Sequence, residues 1–296
     1  MSQASDMVRT EFKKGDDIRD AGLTTPEDII RYDDIVYGED PKWQSLDVYR
    51  PKSAEGKKLP VIVSVHGGGW VYGDKERYQF YCMNLAQRGF AVVNYTYRLA
   101  PEYKYPSSLE DTNSVFTWIL AHGGEYGFDT AHIFGVGDSA GGHNLGLYAG
   151  ICTNPQYAAG YGFKTPEGFA PTAIGLHCGA HRIEIGQEGN TDDLTQRLMA
   201  DFLPEKGTEK ELELIDVTKH ITEKYPPTFF MTCPGDFLKN QAPLLAEQLA
   251  EKNVPFMYRM YGSGQKPLAH VFHCDIKSED AKLCNYEVCD FFKRYL

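Results

Sequence analysis

The alternation of short apolar runs with helix-like segments after Pro51 constrains the fold of this 296-residue chain most strongly. Runs that are apolar at consecutive positions are typical of strands covered on both faces. Strands that alternate with helices predict an α/β fold, with a mainly parallel central sheet in one large domain. The predicted strands are 60–65, 90–95, 132–136, 172–177, 228–232 and 256–261, and the predicted helices are 77–88, 107–121, 141–152, 238–252 and 278–295.

The segment before Pro51 has a different pattern. Residues 34–37 and 45–49 alternate in polarity, and the turn-forming residues 38–41 between them predict a hairpin. Thr25-Pro26-Glu27-Asp28 resembles a helix start, because threonine caps helices, proline is tolerated in the first turn and acids are favoured there. Residues 1–32 are therefore expected to form a mobile or helical arm.

Residues 180–225 interrupt the alternation. This stretch is long, polar and partly helical, with a helical pattern at 193–198. A connection of this length in a compact domain is usually a functional cap or lid. The stretch is therefore expected to cover a site.

A Gly-x-Ser-x-Gly pattern lies at 137–141, between a predicted strand and a predicted helix. Strand, sharp turn and helix together form the setting in which a serine hydroxyl acts as a nucleophile. The turn requires small neighbours, and the helix N-terminus supplies unpaired N–H groups. Ser139 is therefore the candidate nucleophile.

Three consecutive glycines, Gly67, Gly68 and Gly69, follow the first strong strand. They allow backbone N–H groups to converge on one point, as stabilisation of an oxyanion during acyl transfer requires. The alternative of a phosphate-binding loop is disfavoured, because neither Gly-x-Gly-x-x-Gly spacing nor a Gly-Lys-Ser/Thr sequence follows. The loop is predicted to be an oxyanion hole.

Candidate partners for Ser139 follow two later strands. Asp236 comes after the strand at 228–232, where its carboxylate could orient an imidazole or only cap a helix. His270 and His273 both lie in the loop after the last strand, and the residues alone do not choose between them. The chain order Ser…Asp…His is the one expected when the serine lies on a strand-to-helix turn of this kind.

Taken together, these motifs resemble the hormone-sensitive-lipase-like branch of the α/β-hydrolase esterases. The resemblance runs from about Leu46 to the C-terminus. It rests on His-Gly-Gly-Gly-Trp at 66–70, Tyr-Arg-Leu-Ala-Pro-Glu at 97–102, Gly-Asp-Ser-Ala-Gly-Gly at 137–142, Gly-Asp-Phe-Leu at 235–238 and His-Val-Phe at 270–272.

The resemblance implies an α/β-hydrolase fold with a small cap, made here by residues 1–40 and 180–225. The family's last motif is a histidine with an aromatic residue two positions on, which matches His270 and not His273. By the same resemblance, the oxyanion donors are the N–H groups of Gly68, Gly69 and Ala140.

The expected activity is that of a serine carboxylesterase acting on short-chain esters, acetyl esters first, on carbohydrates or other small soluble molecules. Ser139, Asp236 and His270 are the expected catalytic residues, and Trp70, Tyr72, Tyr97 and Asp138 are the candidate substrate contacts. An arylformamidase-type amide hydrolase is the nearer alternative, and a non-catalytic binding protein of hydrolase fold is the more distant one.

Composition excludes several other classes. A net charge of −11 argues against a nucleic-acid partner. The sequence has no run of about 18 apolar residues, so no membrane span is expected. The seven cysteines are dispersed, and the first 20 residues have no apolar signal segment, so a cytoplasmic protein with reduced thiols is expected. No metal-ligand spacing is found, and neither a metal nor an organic cofactor is expected. The oligomeric state stays open, with a homodimer as one option.

Overall fold

The computed structural model describes residues 2–186 and 194–296, so Met1 and part of the predicted cap, 187–193, lie outside the described residues. Within those ranges, the strands are β1 (Ile29–Val36), β2 (Ser45–Pro51), β3 (Leu59–Val65), β4 (Ala91–Tyr95), β5 (Phe128–Asp138), β6 (Ile174–His177), β7 (Thr228–Thr232) and β8 (Phe256–Met260). The α-helices are α1 (Gln3–Asp20), α2 (Lys75–Ala86), α3 (Ser107–His122), α4 (Ala140–Thr153), α5 (Pro155–Ala158), α6 (Leu194–Phe202), α7 (Glu209–Leu214), α8 (Gln241–Glu251) and α9 (Glu279–Lys293). None of these helices is long and apolar enough to cross a membrane.

One sheet carries all of these strands, in the order β1-β2-β4-β3-β5-β6-β7-β8. The first hairpin, β1 with β2, is antiparallel, as is the pairing of β2 with β4, and every later pairing is parallel. The predicted α/β class and mainly parallel sheet are therefore confirmed. The carboxyl ends of the parallel strands meet at one edge, which is where sites form in such sheets.

Alternate residues of the central strands enter two separate cores. Val61 and Val63 of β3 belong to the core on one face of the sheet, and Ile62 belongs to the core on the other. Neighbouring β4 does the same, with Val93 on the first face and Val92 on the second. Both faces are covered, so these strands are apolar at consecutive positions rather than at alternate ones.

The predicted helix start at Thr25 is wrong. The helix of this region is α1, which Ser2 caps by accepting a hydrogen bond from the Ser5 N–H, 3.2 Å away. The chain then turns at Pro26, and Ile29 begins β1, because residues 29–36 find hydrogen-bonding partners along β2. Part of the expected cap arm, 29–36, therefore belongs to the sheet.

Helix α1 packs beside α6, although its sequence is mostly polar. Ala4 and Val8 are buried in the same core as Leu198 of α6. The hydroxyl of Ser5 donates a buried hydrogen bond to the carboxylate of Asp201, also on α6. A narrow apolar stripe and polar bonds thus hold the first helix against the segment that interrupts the βα alternation.

Candidate active site

Ser139 lies at the sharp turn between β5 and α4. Its backbone has φ 50° and ψ −119°, values that non-glycine residues rarely adopt and that cluster at functional sites. The turn is possible because Gly141 passes so close to β3 that a Cβ on it would collide with the carbonyls of Val65 and His66. The predicted strand–turn–helix setting is therefore present around this serine.

The glycine loop runs beside this turn. Gly68 and Gly69 have φ values of 120° and 60°, and a Cβ on Gly68 would collide with the Tyr72 carbonyl. Within the described residues, the Gly68 and Gly69 N–H groups have no hydrogen-bond acceptor. Ala140 is the first residue of α4, so no preceding turn supplies an acceptor for its N–H. The three predicted oxyanion donors are thus unpaired amides on adjoining segments.

Tyr97 does not lie at the pocket rim, and its predicted substrate contact is wrong. The side chain is fully buried, and its hydroxyl donates to the His66 carbonyl at 2.8 Å. Its ring stacks on the His66 imidazole with the centroids 4.0 Å apart. Tyr97 follows β4 and holds the start of the glycine loop through its contacts with His66.

Asp236 and His270 are brought together by the loops that follow β7 and β8. A parallel bridge joins Gly235 to Ala269, and the Gly235 N–H donates to the Leu268 carbonyl at 3.1 Å. The two loops are therefore in register, and His270 Nδ1 lies 2.6 Å from Asp236 Oδ1.

The Asp236 carboxylate has several hydrogen-bond donors. Burial raises its pKa, but bonds from His270, from the Thr232 hydroxyl at 2.6 Å and from the Leu238 N–H at 2.8 Å outweigh burial and leave the pKa below its ordinary value. The carboxylate is thus held ionised beside an imidazole. Asp236 accepts from a backbone N–H as a helix cap does, but it does not lie at the start of a helix, since α8 begins later, at Gln241.

His273 packs among buried rings, whereas it is His270 that pairs with Asp236. His273 is fully buried, and its ring lies edge-on to Tyr81 at 5.0 Å and to His177 at 4.5 Å between centroids. Burial holds its pKa well below the ordinary histidine value. The geometry therefore pairs Asp236 with His270, the histidine selected by the family motif.

Trp70 is tied to the helix that follows Ser139. Its indole N–H donates to His143 Nδ1 at 3.1 Å, and His143 Nε2 donates to the Ile215 carbonyl at 2.8 Å. Because both ring nitrogens are engaged in this way, His143 is the neutral Nε2–H tautomer, and burial lowers its pKa to about 4. His143 thus connects the glycine loop to the segment that interrupts the alternation, a link the sequence did not indicate.

Two cavities meet at Ser139. One, of about 300 Å³, contains His270 and also the predicted contacts Tyr72 and Asp138. The other, of about 240 Å³, contains the predicted contact Trp70. Side chains from α1 and α6 and from the loop after β7 complete the walls and were not predicted: Val8, Phe12, Asp16, Arg19, Leu198 and Phe237.

Two clusters in the described part of the chain bring three potential metal-ligand atoms within 4.8 Å of one another. One is Cys178 with the Asp236–His270 pair, and the other is Asp138 with His273 and Cys274. The carboxylates of both already accept a hydrogen bond, from His270 in the first and from the Tyr78 hydroxyl at 2.7 Å in the second. In both clusters, the carboxylate therefore already has a hydrogen-bond partner within the protein.

Comparison with known proteins gives a consistent result. The BD-FAE family model matches residues 46–249. The chain is similar to esterase LipC of Mycobacterium tuberculosis, with 37% identity over 136 residues that cover 45% of this chain and 32% of LipC. It is also similar to versiconal hemiacetal acetate esterase of Dothistroma septosporum, with 28% identity over 72% of this chain and 67% of that protein. Esterase B from Lactobacillus rhamnosis has the same fold, with a TM-score of 0.86 at 24% identity over 99% of this chain and 97% of that one.

Proposed function

The chain belongs to the BD-FAE family and has an α/β-hydrolase fold, and we propose that it is a carboxylic ester hydrolase that cleaves short-chain esters through an acyl group carried on Ser139. The observation that carries the proposal is the pairing of His270 with Asp236 at 2.6 Å beside the cavity that contains Ser139. A serine, a histidine and a buried carboxylate in this relation are the components of a nucleophilic triad.

In the acylation step, His270 removes the Ser139 proton and the serine Oγ attacks the ester carbonyl carbon. Because Nδ1 of His270 donates to Asp236, its Nε2 carries the lone pair that accepts this proton. The carbonyl oxygen becomes an oxyanion, which the N–H groups of Gly68, Gly69 and Ala140 stabilise. The C–O bond then breaks, His270 returns the proton to the departing alkoxide, and a neutral alcohol leaves.

In the deacylation step, water attacks the acyl-serine. His270 takes a proton from that water, the acid is released, and the proton returns to Ser139. Asp236 keeps the imidazole oriented and stabilises its charged form in both steps. We also propose that α1 and the described parts of 180–225 form a cap over a single hydrolase domain.

The proposed acyl group is short, with acetyl as the first candidate, and the alcohol is a carbohydrate or another small molecule. The apolar cavity beside Gly69 and Trp70 holds about 240 Å³ and is bounded by Leu198 of α6. This size suits a short acyl chain more than a lipid.

Ser139→Ala tests the proposal, with p-nitrophenyl esters from acetyl to octanoyl as substrates and Ser53→Ala, at an exposed serine, as the control. We expect Ser139→Ala to lose hydrolysis of every ester and Ser53→Ala to keep it, with the highest kcat/KM on acetyl. Hydrolysis by Ser139→Ala at the rate of the unmodified protein would refute the serine mechanism. Faster turnover of N-formylkynurenine than of p-nitrophenyl acetate by the unmodified protein would favour an arylformamidase instead.

A further inference from the structure

The two cavities at Ser139 are lined by different sets of side chains, although each has both polar and apolar walls. The cavity on the Trp70 side, which we call the apolar cavity, is lined by Val8, Ile183 and Leu198, and Arg182 and Glu184 also contribute to its wall. The cavity on the His270 side contains ionisable and hydroxyl groups, which are Glu11, Asp16, Arg19, Tyr72, Tyr78 and Asp138. An ester has an acyl part and an alcohol part, so this difference bears on which part each cavity receives.

The position of His270 decides the orientation. The alkoxide that leaves must take its proton from this histidine, so the alcohol part must lie beside it. Ser139 lines both cavities, but His270 lines only the one that contains Asp16 and Tyr72, which we call the polar cavity. The alcohol therefore belongs in the polar cavity, and the acyl chain belongs in the apolar one.

We propose that the polar cavity selects a neutral alcohol with several hydroxyl groups, of the size of glycerol or a single sugar ring, and that Asp16 on α1 is its main specificity determinant. The inference rests on the proposed function, since it takes Ser139 and His270 as the reacting groups.

Asp16 and its neighbours form a preorganised polar wall. The Asp16 carboxylate accepts from the Tyr72 hydroxyl at 2.8 Å and pairs with Arg19 at 2.8 Å. Each carboxylate oxygen can accept a second hydrogen bond, so the fixed carboxylate can still bind a hydroxyl of the alcohol. The Asp16 side chain is 18% exposed, so the wall is open to a ligand while being held in place.

Two exposed rings complete the cavity. Phe12 and Phe237 line both cavities and are 41% and 70% exposed. Large apolar side chains left open beside a polar wall suit a ligand that has both hydroxyl groups and C–H faces, as a polyol has.

Charge makes an anionic alcohol unfavourable. Three carboxyl groups line the cavity, those of Glu11, Asp16 and Asp138, against the single guanidinium of Arg19. Arg19 is also committed to Asp20, which it contacts at 2.7 Å. A carboxylate or phosphate on the alcohol would face a net negative wall.

A matched set of acetates tests the selection. The substrates are 2,3-dihydroxypropyl acetate, its apolar isostere 2-methylbutyl acetate, and the anionic 4-acetoxybutanoate. We expect kcat/KM for the dihydroxypropyl ester to exceed that for the isostere by about tenfold, since a hydrogen bond to a charged group is worth about that factor. The anionic ester is expected to be the poorest substrate.

Asp16→Asn should lower the dihydroxypropyl-to-isostere ratio by about fivefold, because the amide oxygen still accepts from the hydroxyl but lacks the charge that strengthens the bond. The matched control is Asp17→Asn, which removes the same charge from the next position of α1, where Asp17 is 48% exposed and pairs with Lys13. If Asp16→Asn does not fold, Tyr72→Phe serves instead, with an expected threefold or so fall in the ratio from the loss of one hydroxyl contact. A ratio near one in the unmodified protein, or equal effects of Asp16→Asn and Asp17→Asn, would overturn the inference.

Leu198→Ala tests the orientation. With the dihydroxypropyl alcohol held constant, this variant should raise hexanoyl over acetyl turnover without changing the ratio between alcohols. A changed alcohol ratio in Leu198→Ala together with a changed acyl preference in Asp16→Asn would reverse the assignment. Ser139→Ala distinguishes failure of this inference from failure of the proposed function. Full hydrolysis of all three acetates by this variant would contradict the proposed function.

Discussion

Replacing His143 with phenylalanine should destabilise the protein in a way that depends on pH. In the folded chain, this buried histidine accepts from the Trp70 indole N–H at 3.1 Å and donates to the Ile215 carbonyl at 2.8 Å. Phenylalanine keeps an aromatic ring beside Trp70 but can form neither bond. Two buried polar groups are then left unpaired, at about 1–3 kcal/mol each. We therefore expect a loss of about 4 kcal/mol in the free energy of unfolding at pH 7.

Protonation adds the dependence on pH. Burial lowers the pKa of His143 from 6.5 to about 4 in the folded state, so between these values the unfolded chain binds a proton that the folded chain does not. This histidine's contribution to stability is complete above pH 6.5 and is lost as the pH falls towards 4. At 1.36 kcal/mol per pKa unit, the loss is about 3 kcal/mol. Between pH 7.0 and pH 4.5, the difference between the unmodified protein and His143→Phe should therefore shrink by about 2.5 kcal/mol.

Urea denaturation at pH 7.0 and at pH 4.5, followed by circular dichroism, measures both quantities. Any strain from the larger ring adds equally at both pH values, so the change with pH isolates the histidine. His122→Phe is the control, because His122 is 42% exposed and should change stability by less than about 0.5 kcal/mol. A stability difference for His143→Phe that is the same at both pH values would refute the reasoning.

Three further predictions concern the candidate site: two test catalytic roles and one tests substrate binding. Asp236→Asn should lower kcat for p-nitrophenyl acetate by about 10³–10⁴, because the imidazole loses the partner that fixes its tautomer, and a loss of less than tenfold would contradict this role. Gly68→Ala should lower kcat by about 10²–10³, because a Cβ there collides with the Tyr72 carbonyl and displaces an oxyanion donor. The fold should be retained in circular dichroism. A kcat equal to that of the unmodified protein would argue against the oxyanion role. Phe237→Ala should change the unfolding free energy by less than about 0.5 kcal/mol, since the ring is 70% exposed. The same variant should raise KM for the dihydroxypropyl ester. An unchanged KM would show that this ring is not part of the binding surface.

The sheet was predictable from sequence because its strands are covered on both faces. Residues 228–232 were predicted as a strand and form β7 with the same ends, and the other predicted strands after Pro51 shift by a few residues at one or both ends. Helix α1 was harder to predict from the sequence, because Ala4 and Val8 give only a narrow apolar stripe and much of its attachment is polar. The Thr25-Pro26 sequence has local helix-start chemistry, but pairing of residues 29–36 with β2 prevails over it.

The candidate site was predictable where local geometry dictates the residue type. A turn that excludes side chains beside Ser139, and a loop that needs positive φ at Gly68, both leave glycine in the sequence. The roles of Asp16 and Tyr97 could not be predicted in this way, because no local geometry dictates the residue type at these positions. The approach of α1 to the site depends on contacts between distant parts of the chain, and the burial of Tyr97 depends on where β4 ends.

The position of α1 has a practical consequence for experiments on this protein. Val8 and Phe12 form part of the cavity walls, while Ser2 and Ser5 anchor the start of the same helix to Asp201. An affinity tag fused at the N-terminus would therefore lie within a few turns of the cavities at Ser139, and we expect it to change the measured preference for esters. Leu296 is exposed at the other end of the chain, so a C-terminal tag is the sound choice when substrate panels are compared between preparations.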